Sequence, residues 1–306
     1  MKALGIGQLV LDKTVLLNTY PEEGLKIVPM KMENSVGGPV ASALILLAKL
    51  GVETHLLASV GNDEAGEILK KKLMSYGVKL IPVLTKRTKV HTVIVNSSNG
   101  SRTIIKSTNS GQAINTVPQE LIDTADVIIF DRHEEKAFDY VMAHKRAETK
   151  VVIDPSDEVS AKTIKMIQSC EYPILPIEAL QKFRRHEDLE ANIQSVFEIV
   201  KKPFIITAGG FGSVLCDGKN MKLFPSYDLR VVDTLGAGDV YRGAFAYGIL
   251  QNWDIEKTID YANLVAGLQC TKLGNSSAIP QPEEIEQVSK SASRNNFNLN
   301  YVLQQV

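Results

Sequence analysis

The chain has 306 residues, of which 44% are hydrophobic and 23% are charged, and its formal net charge is -1 at pH 7. These values are typical of a globular protein with a large buried core. A charge so near zero gives little attraction for nucleic acid or for an anionic membrane surface, so neither partner is expected. No apolar run approaches the ~20 residues that a transmembrane helix needs.

The cysteines and the first residues indicate where the protein works. Cys170, Cys216 and Cys270 are widely spaced and include no Cys-x-x-Cys pair. This spacing argues against a disulfide framework and favours a reducing, cytoplasmic location. The opening MKALGIGQLVLD has a short apolar run but no small-residue cleavage site before Asp12. We therefore interpret it as a buried first strand rather than a signal peptide.

Strands and helices alternate along most of the chain. The first predicted strand is ALGIGQLVL, followed by the helix ASALILLAKLG, the strand THLLASVG and the helix EAGEILKKKLMSYG. Later come the strands DVIIF, KVVID and PFIITA, two helices over about 239–252 and 256–272, and a polar tail that is predicted to be loosely held. This order predicts an α/β fold, with a mostly parallel sheet and helices on both of its faces.

Two segments interrupt the alternation, at residues 13–36 and 88–106. The first alternates like a strand around Pro-Glu-Glu-Gly, and the second has two short strands around Asn-Gly, which is a hairpin signal. We expect them to form a small antiparallel sheet that acts as a lid, although two unrelated surface hairpins would give the same pattern. No repeat or flexible linker divides the chain, so residues 1–306 are predicted to form a single domain.

The most informative stretch is VVDTLGAGDVYRGAFAYGIL. Asp233 and Asp239 flank a Leu-Gly-Ala-Gly turn at the start of a predicted helix. The backbone N–H groups of Gly236, Ala237 and Gly238, together with the helix dipole, would form a site for an anion. An acid in the first turn is also an ordinary way to begin a helix, so a lone Gly-Asp would carry little weight.

Phosphoryl transfer to a hydroxyl needs positioned phosphates, neutralised charge and a group that accepts the hydroxyl proton. Residues 236–238 could face the developing charge, and Asp239 could accept the proton. The helix dipole is expected to keep Asp239 ionised, and therefore a weak base. The sequence has no G-x-x-x-x-G-K-[ST] or H-E-x-x-H motif. GIGQLV lacks the third glycine of a dinucleotide fingerprint, which argues against a nicotinamide-dependent dehydrogenase.

The string Asp-Thr-Leu-Gly-Ala-Gly-Asp, followed by Tyr-Arg-Gly-Ala-Phe, resembles the signature of the ribokinase (PfkB) family of carbohydrate kinases, with Tyr241 replacing the usual first Phe. The resemblance runs from about residue 3 to residue 282. It implies a ribokinase-like three-layer sandwich with a β-sheet lid. It also implies Mg²⁺-assisted transfer of the ATP γ-phosphate to a small sugar or sugar derivative, with Asp239 as the base and 236–238 as the anion hole. A requirement for a monovalent cation stays open.

The resemblance also implies contacts with the sugar. Asp12 matches an acid that follows the family's first strand, and Gly37 and Gly38 match paired glycines that admit the sugar close to the backbone. Ser42 stands where many members have an asparagine, so the polar contacts to the substrate must differ. Arg102, in NGSRTIIK, matches a lid residue that would either reach the substrate or stabilise a hairpin.

Arg132 follows the predicted strand in IIFDRHEE. The carboxyl ends of strands face the ligand crevice in an open α/β sheet. Arg132, with Lys26 from the expected lid, could therefore pair with an anionic group on the sugar. The alternative is a surface arginine that pairs with Glu134 or Glu135.

Nucleotide contacts are implied by three further matches. The residues are Thr207, Gly209 and Gly212 of TAGGFG, Thr234 of the signature, and Asn263 of YANLVAGLQCTKLG. The acidic segment that orders magnesium in the family is the weakest match, since ILPIEAL places Ile177 and Leu180 where the family has Asn and Glu. Glu178 is left as the nearby acid.

Several interpretations therefore remain open. Glu178 could serve the metal from a shifted position, water and phosphate could hold the metal, or the site could be impaired. The alternatives to a sugar kinase are a nucleoside kinase of the same fold and a non-catalytic, metabolite-binding pseudokinase. An exposed edge of the lid sheet would also allow a homodimer.

Overall fold

The computed structural model describes residues 1–98, 101–107, 111–182, 189–299 and 301–302. The strands are β1 (Lys2–Ile6), β2 (Val10–Leu17), β3 (Lys31–Gly37), β4 (Glu53–Gly61), β5 (Val78–Thr85), β6 (Lys89–Asn96), β7 (Arg102–Ile105), β8 (Val127–Asp131), β9 (Lys150–Asp154), β10 (Ile174–Pro176), β11 (Phe204–Thr207), β12 (Gly212–Cys216) and β13 (Met221–Pro225). The helices are α1 (Pro39–Lys49), α2 (Glu64–Ser75), α3 (Gln119–Thr124), α4 (Glu135–His144), α5 (Ala161–Ser169), α6 (Ile177–Lys182), α7 (Leu189–Val200), α8 (Ala237–Leu250), α9 (Ile255–Gln269) and α10 (Pro282–Ser289).

The main layer begins with five parallel strands in the order β5-β4-β1-β8-β9. β9 contacts β10, which starts a second sheet in the order β10-β11-β12-β13. Alternate residues of β8 face opposite sides: Ile129 belongs to the core cluster that contains residues of α1, α2, α8 and α9, whereas Ile128 and Phe130 belong to the cluster that contains residues of α3, α4, α5 and α7. This is the α/β arrangement with helices on both faces that the alternation predicted.

A separate small sheet, defined here as β3-β2-β6-β7, joins the two segments that interrupt the alternation. The expectation of a wholly antiparallel sheet is wrong, because β2 and β6 run parallel while β2–β3 and β6–β7 are antiparallel. A parallel pair needs a long crossover, and α1, β4, α2 and β5 supply it. The Asn-Gly turn at 99–100 lies outside the described residues.

The first apolar run builds two strands rather than one. β1 ends at Ile6 in the main sheet, and β2 begins at Val10 in the small sheet. Between them, the Gln8 N–H donates to Asp131 Oδ2 at 2.6 Å, which fixes the bend. The run therefore leads the chain from the main sheet into the small sheet, which the single predicted strand did not anticipate.

The tail is held more firmly than its polar sequence suggested. The Asp228 N–H donates to Ser293 O at 2.9 Å, and the Asn295 N–H donates to Ser226 O at 2.9 Å. The ring of Phe297 lies 5.2 Å from that of Phe211, centroid to centroid. The expectation of a loose tail is thus wrong for this part of it. Within the described ranges, no helix combines the length and apolar character that crossing a bilayer requires.

Candidate active site

The signature turn lies at the start of α8, and its shape depends on glycine. Gly236 precedes the helix with φ 77°, a left-handed conformation that suits glycine. A Cβ at this position would also lie 2.5 Å from Asn275 Oδ1. The Ala237 N–H makes only a long contact, at 3.4 Å, with Thr234 O, and Gly238 is exposed. The first turn of α8 is therefore accessible, and N–H groups at such a helix start can meet an anion.

Two buried side chains hold this turn against the loop that follows α9. Asp233 accepts hydrogen bonds from the Leu235 N–H at 2.9 Å and from the Gly274 N–H at 3.0 Å. Gln269 Nε2 donates to Leu235 O, Asn275 O and Gly274 O at 3.0, 3.1 and 3.3 Å. The first aspartate of the motif thus shapes the turn. No local pattern marked Gln269, which lies within an ordinary helical stretch.

Replacing Gln269 by Leu should destabilise the protein. Three buried carbonyl groups would lose their shared donor, and one buried unsatisfied group costs about 1–3 kcal/mol. Urea unfolding should show a loss in this range, together with a lower kcat because the turn is less well held. Gln287→Leu, at an exposed position on α10, is the matched control and should change little. A Gln269→Leu protein as stable as the wild type would contradict this role.

Asp239, in the first turn of α8, is only partly accessible. The pKa of Asp239 is raised to about 7, first by burial and also by the charges of Asp154 and Asp12, whereas Arg242 acts in the opposite direction. The expectation that the helix dipole keeps this carboxylate a weak base is therefore wrong, because desolvation and neighbouring acids outweigh the dipole. Asp239 instead has a pKa in the range of an effective general base.

An ion pair that sequence reasoning missed lies beside Asp239. Arg242 Nη1 is 3.2 Å from Asp154 Oδ2 and donates to Gly238 O at 3.0 Å. Both side chains are almost fully buried. Arg242 stands four residues after Gly238, on a face of α8 that is buried against the main sheet. The one available signal was an arginine inside an otherwise apolar helix.

Asp12, on β2, is also buried, with 7% of its surface exposed. Its pKa is raised to about 6, because the effect of burial exceeds that of a hydrogen bond with Asn275, which acts in the opposite direction. His91 Nδ1 lies 3.6 Å from Asp12 Oδ1. A Cβ on Gly37 would overlap the Asp12 carboxylate, and a Cβ on Gly38 would overlap a backbone carbonyl. The paired glycines therefore leave room for this acid and for a close approach of the backbone.

Ser42 and Arg102 contact residues of the site rather than open space. Ser42 is fully buried, and its hydroxyl donates to Asn275 Oδ1 at 3.1 Å. Arg102, on β7, donates from Nη1 to Thr234 Oγ1 at 2.9 Å and lies 3.9 Å from Asp233 Oδ1. Arg102 thus connects the small sheet to the signature turn.

A cavity of about 330 Å³ opens beside the start of α8. It brings together the residues expected at the nucleotide and the nearby acid: Thr207, Gly209, Gly212, Thr234, Asn263 and Glu178. Ala237 and Gly238 line the same cavity. Asn263 is fixed at its edge, since its Oδ1 accepts from Ser213 Oγ at 2.7 Å and its Nδ2 donates to Phe224 O at 2.9 Å. We call this space the nucleotide-side cavity.

The structure places Leu180 and Glu178, the two residues considered for the acidic segment, in different surroundings. Leu180 is fully buried in the core, whereas Glu178 is exposed and lines the nucleotide-side cavity. The described residues contain no group of three or more His, Cys, Asp or Glu side chains placed to hold a metal. Mg²⁺ does not need such a group, because it keeps several waters and is usually bound by one or two carboxylates plus substrate phosphates. Glu178 fits that mode.

A second cavity, of about 520 Å³, is lined by Arg132 and by His91, the neighbour of Asp12. Arg132 Nε is 2.8 Å from Glu158 Oε2, so the partners suggested by the sequence were wrong. Glu134 instead accepts from the Ile114 N–H at 3.0 Å. Lys26 is exposed and does not line the cavity. We call this space the basic cavity, because Lys89, Lys106 and Arg132 line it.

The class that the fold and the signature turn define is an ATP-dependent carbohydrate kinase. The family model described as pfkB family carbohydrate kinase matches residues 8–282, and the chain belongs to this family. The resemblance found in the signature is thereby confirmed.

Individual relatives are distant but cover nearly the whole chain. Ribokinase from Bacillus subtilis is 24% identical over 296 residues, which are 92% of this chain and 97% of that protein. Ribokinase from Thermotoga maritima has a TM-score of 0.79 at 22% identity, covering 94% of this chain and 99% of its own. Arabidopsis thaliana ribokinase complexed with ribose and ATP has a TM-score of 0.77 at 21% identity, covering 94% and 98%. The structural likenesses show a shared fold.

Proposed function

We propose that this carbohydrate kinase transfers the γ-phosphate of ATP to a hydroxyl of a small sugar or sugar derivative. The proposal rests on one observation: the first turn of α8 borders the cavity for the phosphate donor and also carries Asp239, which lies near the expected sugar site at Asp12. Ala237 and Gly238 line the nucleotide-side cavity. Asp239, in the same turn, is near enough to Asp12 for the charge of Asp12 to raise its pKa. A phosphate donor and a sugar acceptor would therefore meet at this turn.

In this proposal, Asp12 and the backbone at Gly38 bind sugar hydroxyls, and Ser42 acts on the substrate by orienting Asn275. Asp239 accepts the proton of the reacting hydroxyl, which its pKa of about 7 makes favourable near neutral pH. The N–H groups of 236–238 stabilise charge that develops on the transferring phosphoryl group. The small sheet closes over the acceptor as a lid and excludes water, a competing acceptor. Arg102 would couple that closure to the signature turn.

Glu178 is the residue that we propose for Mg²⁺, with the nucleotide phosphates and water completing its coordination. When bound, Mg²⁺ would neutralise phosphate charge. A monovalent cation is a further proposed cofactor, which turnover in potassium against tetramethylammonium buffer would measure. Thr207, Gly209, Gly212, Thr234 and Asn263 would contact the nucleotide from the walls of the cavity that they share.

Two proposals concern the state of the protein in the cell. All three cysteines are free and buried, which fits a reducing, cytoplasmic location that cell fractionation would test. The small sheet exposes Val28, Met30 and Met32 on or just before β3 and Ile105 on β7. Apolar side chains on a sheet with open edges favour pairing with a second copy. Light scattering of the purified chain would report the resulting homodimer.

The experiment that tests the proposed function is an assay of ADP release with Mg-ATP and a panel of sugars, sugar derivatives and nucleosides. Sugar-dependent ADP formation would support the proposal, and a preference for nucleosides would favour the related alternative. No turnover with any acceptor, together with calorimetric binding of ATP, would instead indicate a pseudokinase.

The pH dependence of kcat/KM should show the raised carboxylate pKa values. The base must be ionised, so activity should fall as the pH drops through about 7 for Asp239 and about 6 for Asp12. Since the two charges interact, the observed values belong to the pair. A profile measured from about pH 5 to about pH 9 should fall about tenfold per unit on its acid side. A flat profile over this range would contradict a base with a raised pKa.

A further inference from the structure

The basic cavity contains a lysine, Lys89, that forms no ion pair with any residue that the structure describes. Only 7% of Lys89, on β6, is exposed, and the residue lines the cavity. Among the described residues, no carboxylate or other acceptor lies within ion-pair or hydrogen-bond range of its ammonium group. Burial lowers its pKa. A bound acceptor that covered this ammonium without pairing it would pay the cost of an isolated buried charge, so an acceptor that brings an anionic group would be bound favourably.

The acids around Lys89 are already committed to other donors. Asp131 accepts from the Gln8 N–H at 2.6 Å and from the His133 N–H at 2.9 Å. Glu134 is occupied in the same way by the Ile114 N–H at 3.0 Å. The charges of Asp131 and Glu134 raise the pKa of Lys89 from a distance, but neither carboxylate forms an ion pair with its ammonium group. The arrangement therefore leaves its ammonium available to an outside anion.

Two histidines, His91 and His133, also line the basic cavity. The pKa of His133 is lowered to about 4, first by burial and also by the charges of Arg132 and Lys89, although Glu158 opposes them. Burial also lowers the pKa of His91, with Lys106 and Lys89 contributing in the same direction. Both rings are therefore neutral near pH 7 and can each donate one N–H to an anion.

The position of the basic cavity ties it to the acceptor. Its wall includes His91, whose Nδ1 is 3.6 Å from Asp12 Oδ1. Its wall also includes Gln8, whose carbonyl a Cβ on Gly38 would overlap. Asp12 and Gly38 are the two residues proposed to bind sugar hydroxyls, so the wall of the basic cavity adjoins both of them. The signature turn borders the other cavity, so a sugar held at Asp12 could extend into the basic cavity with the end remote from Asp239.

We propose that the acceptor carries an anionic group, a phosphate or a carboxylate, which Lys89, Lys106 and Arg132 bind in the basic cavity. This inference rests on the proposed function and names its substrate class. Both anions accept charge-assisted hydrogen bonds, and Arg132 can offer the part of its guanidinium that does not face Glu158. A neutral sugar would leave Lys89 buried and unpaired, so the site should discriminate strongly against it.

The test compares acceptors in matched sets: a neutral sugar, its phosphomonoester and its sugar acid. ADP release should show kcat/KM for an anionic member at least about 100-fold above that for its neutral counterpart. Lys89→Met keeps the bulk of the side chain and removes the charge. It should raise KM for the anionic acceptor about 100-fold and leave KM for ATP unchanged. Lys13→Met, at an exposed position on β2 in the same sheet, is the matched control and should behave like the wild type.

The outcomes separate this inference from the proposed function. Turnover of a neutral sugar as fast as its anionic counterparts would overturn the inference and leave the kinase intact. If no acceptor is turned over, the proposed function fails, and calorimetry with inorganic phosphate and with the sugar phosphates and acids decides the inference. Anion binding that is lost in Lys89→Met and kept in Lys13→Met would support it. Absent binding, or equal binding in both variants, would overturn it. Whichever acceptor is used or bound better, the phosphomonoester or the sugar acid, identifies the anionic group as a phosphate or a carboxylate.

Discussion

Replacing Asp239 by Asn should lower kcat by about 10²- to 10⁴-fold, the usual contribution of a positioned general base. Asparagine has the same shape, but it cannot accept the proton of the acceptor hydroxyl. The dissociation constant for ATP should stay near the wild-type value, because the N–H groups and the cavity wall are unchanged. Single-turnover assays and calorimetry of ATP binding measure the two quantities separately.

Stability provides an internal check on this variant. The folded-state pKa of Asp239 is raised to about 7 from its ordinary value of 3.8. Folding therefore favours the protonated form, and stability is lost as the pH rises above the unfolded value. The neutral Asn variant should thus be at least as stable as the wild type at about pH 8 in urea unfolding. Asp123→Asn, on the exposed surface of α3, is the control, and full turnover by Asp239→Asn would refute the assigned base.

Replacing Arg242 by Met should have the largest effect on stability. Its guanidinium forms a buried ion pair with Asp154 Oδ2 at 3.2 Å. Removing one partner of such a pair costs about 3–5 kcal/mol, because the remaining charge is buried without compensation. Arg242 also lowers the pKa of Asp239, so its loss should move the acid limb of the pH profile to higher pH. Urea unfolding and the profile of kcat/KM measure both effects.

A double variant, Arg242→Met with Asp154→Leu, distinguishes loss of the pair from a general packing defect. Because apolar replacement of both partners is often neutral, the double variant should recover much of the lost stability. Arg230→Met, at an exposed position just before the signature, should unfold like the wild type. A loss of less than about 1 kcal/mol in Arg242→Met would show that the ion pair is not needed for stability.

The local sequence pattern was sufficient to predict the strands and helices named below and the class of protein. The apolar runs of β8, β9 and β11 and the periodic helices α1 and α2 lie close to their predicted positions. The glycines and Asp239 could be recognised because a helix start that meets phosphate needs those residue types at neighbouring positions. For the same reason, the signature indicated the family that the family model confirms.

Contacts between distant segments could not be predicted in this way. The bend after β1 depends on the Gln8 N–H meeting Asp131, 123 residues away. Arg102 meets Thr234 across 132 residues, and Ser42 meets Asn275 across 233. Hydrophobic periodicity determines which face of an element is buried, but it does not determine which other element covers that face.

The amino-acid sequence by itself determined the alternation of strands and helices, the signature turn and the kind of chemistry that it supports. These depend on backbone preferences and on short-range spacing, which neighbouring residues set. Only the tertiary structure decided the raised pKa of Asp239, the pairing of Arg242 with Asp154 and the absence, among the described residues, of an ion-pair partner for Lys89. Burial and charge at these positions arise from residues far apart in the chain. The electrostatics of a site therefore emerge only when the fold brings those residues together.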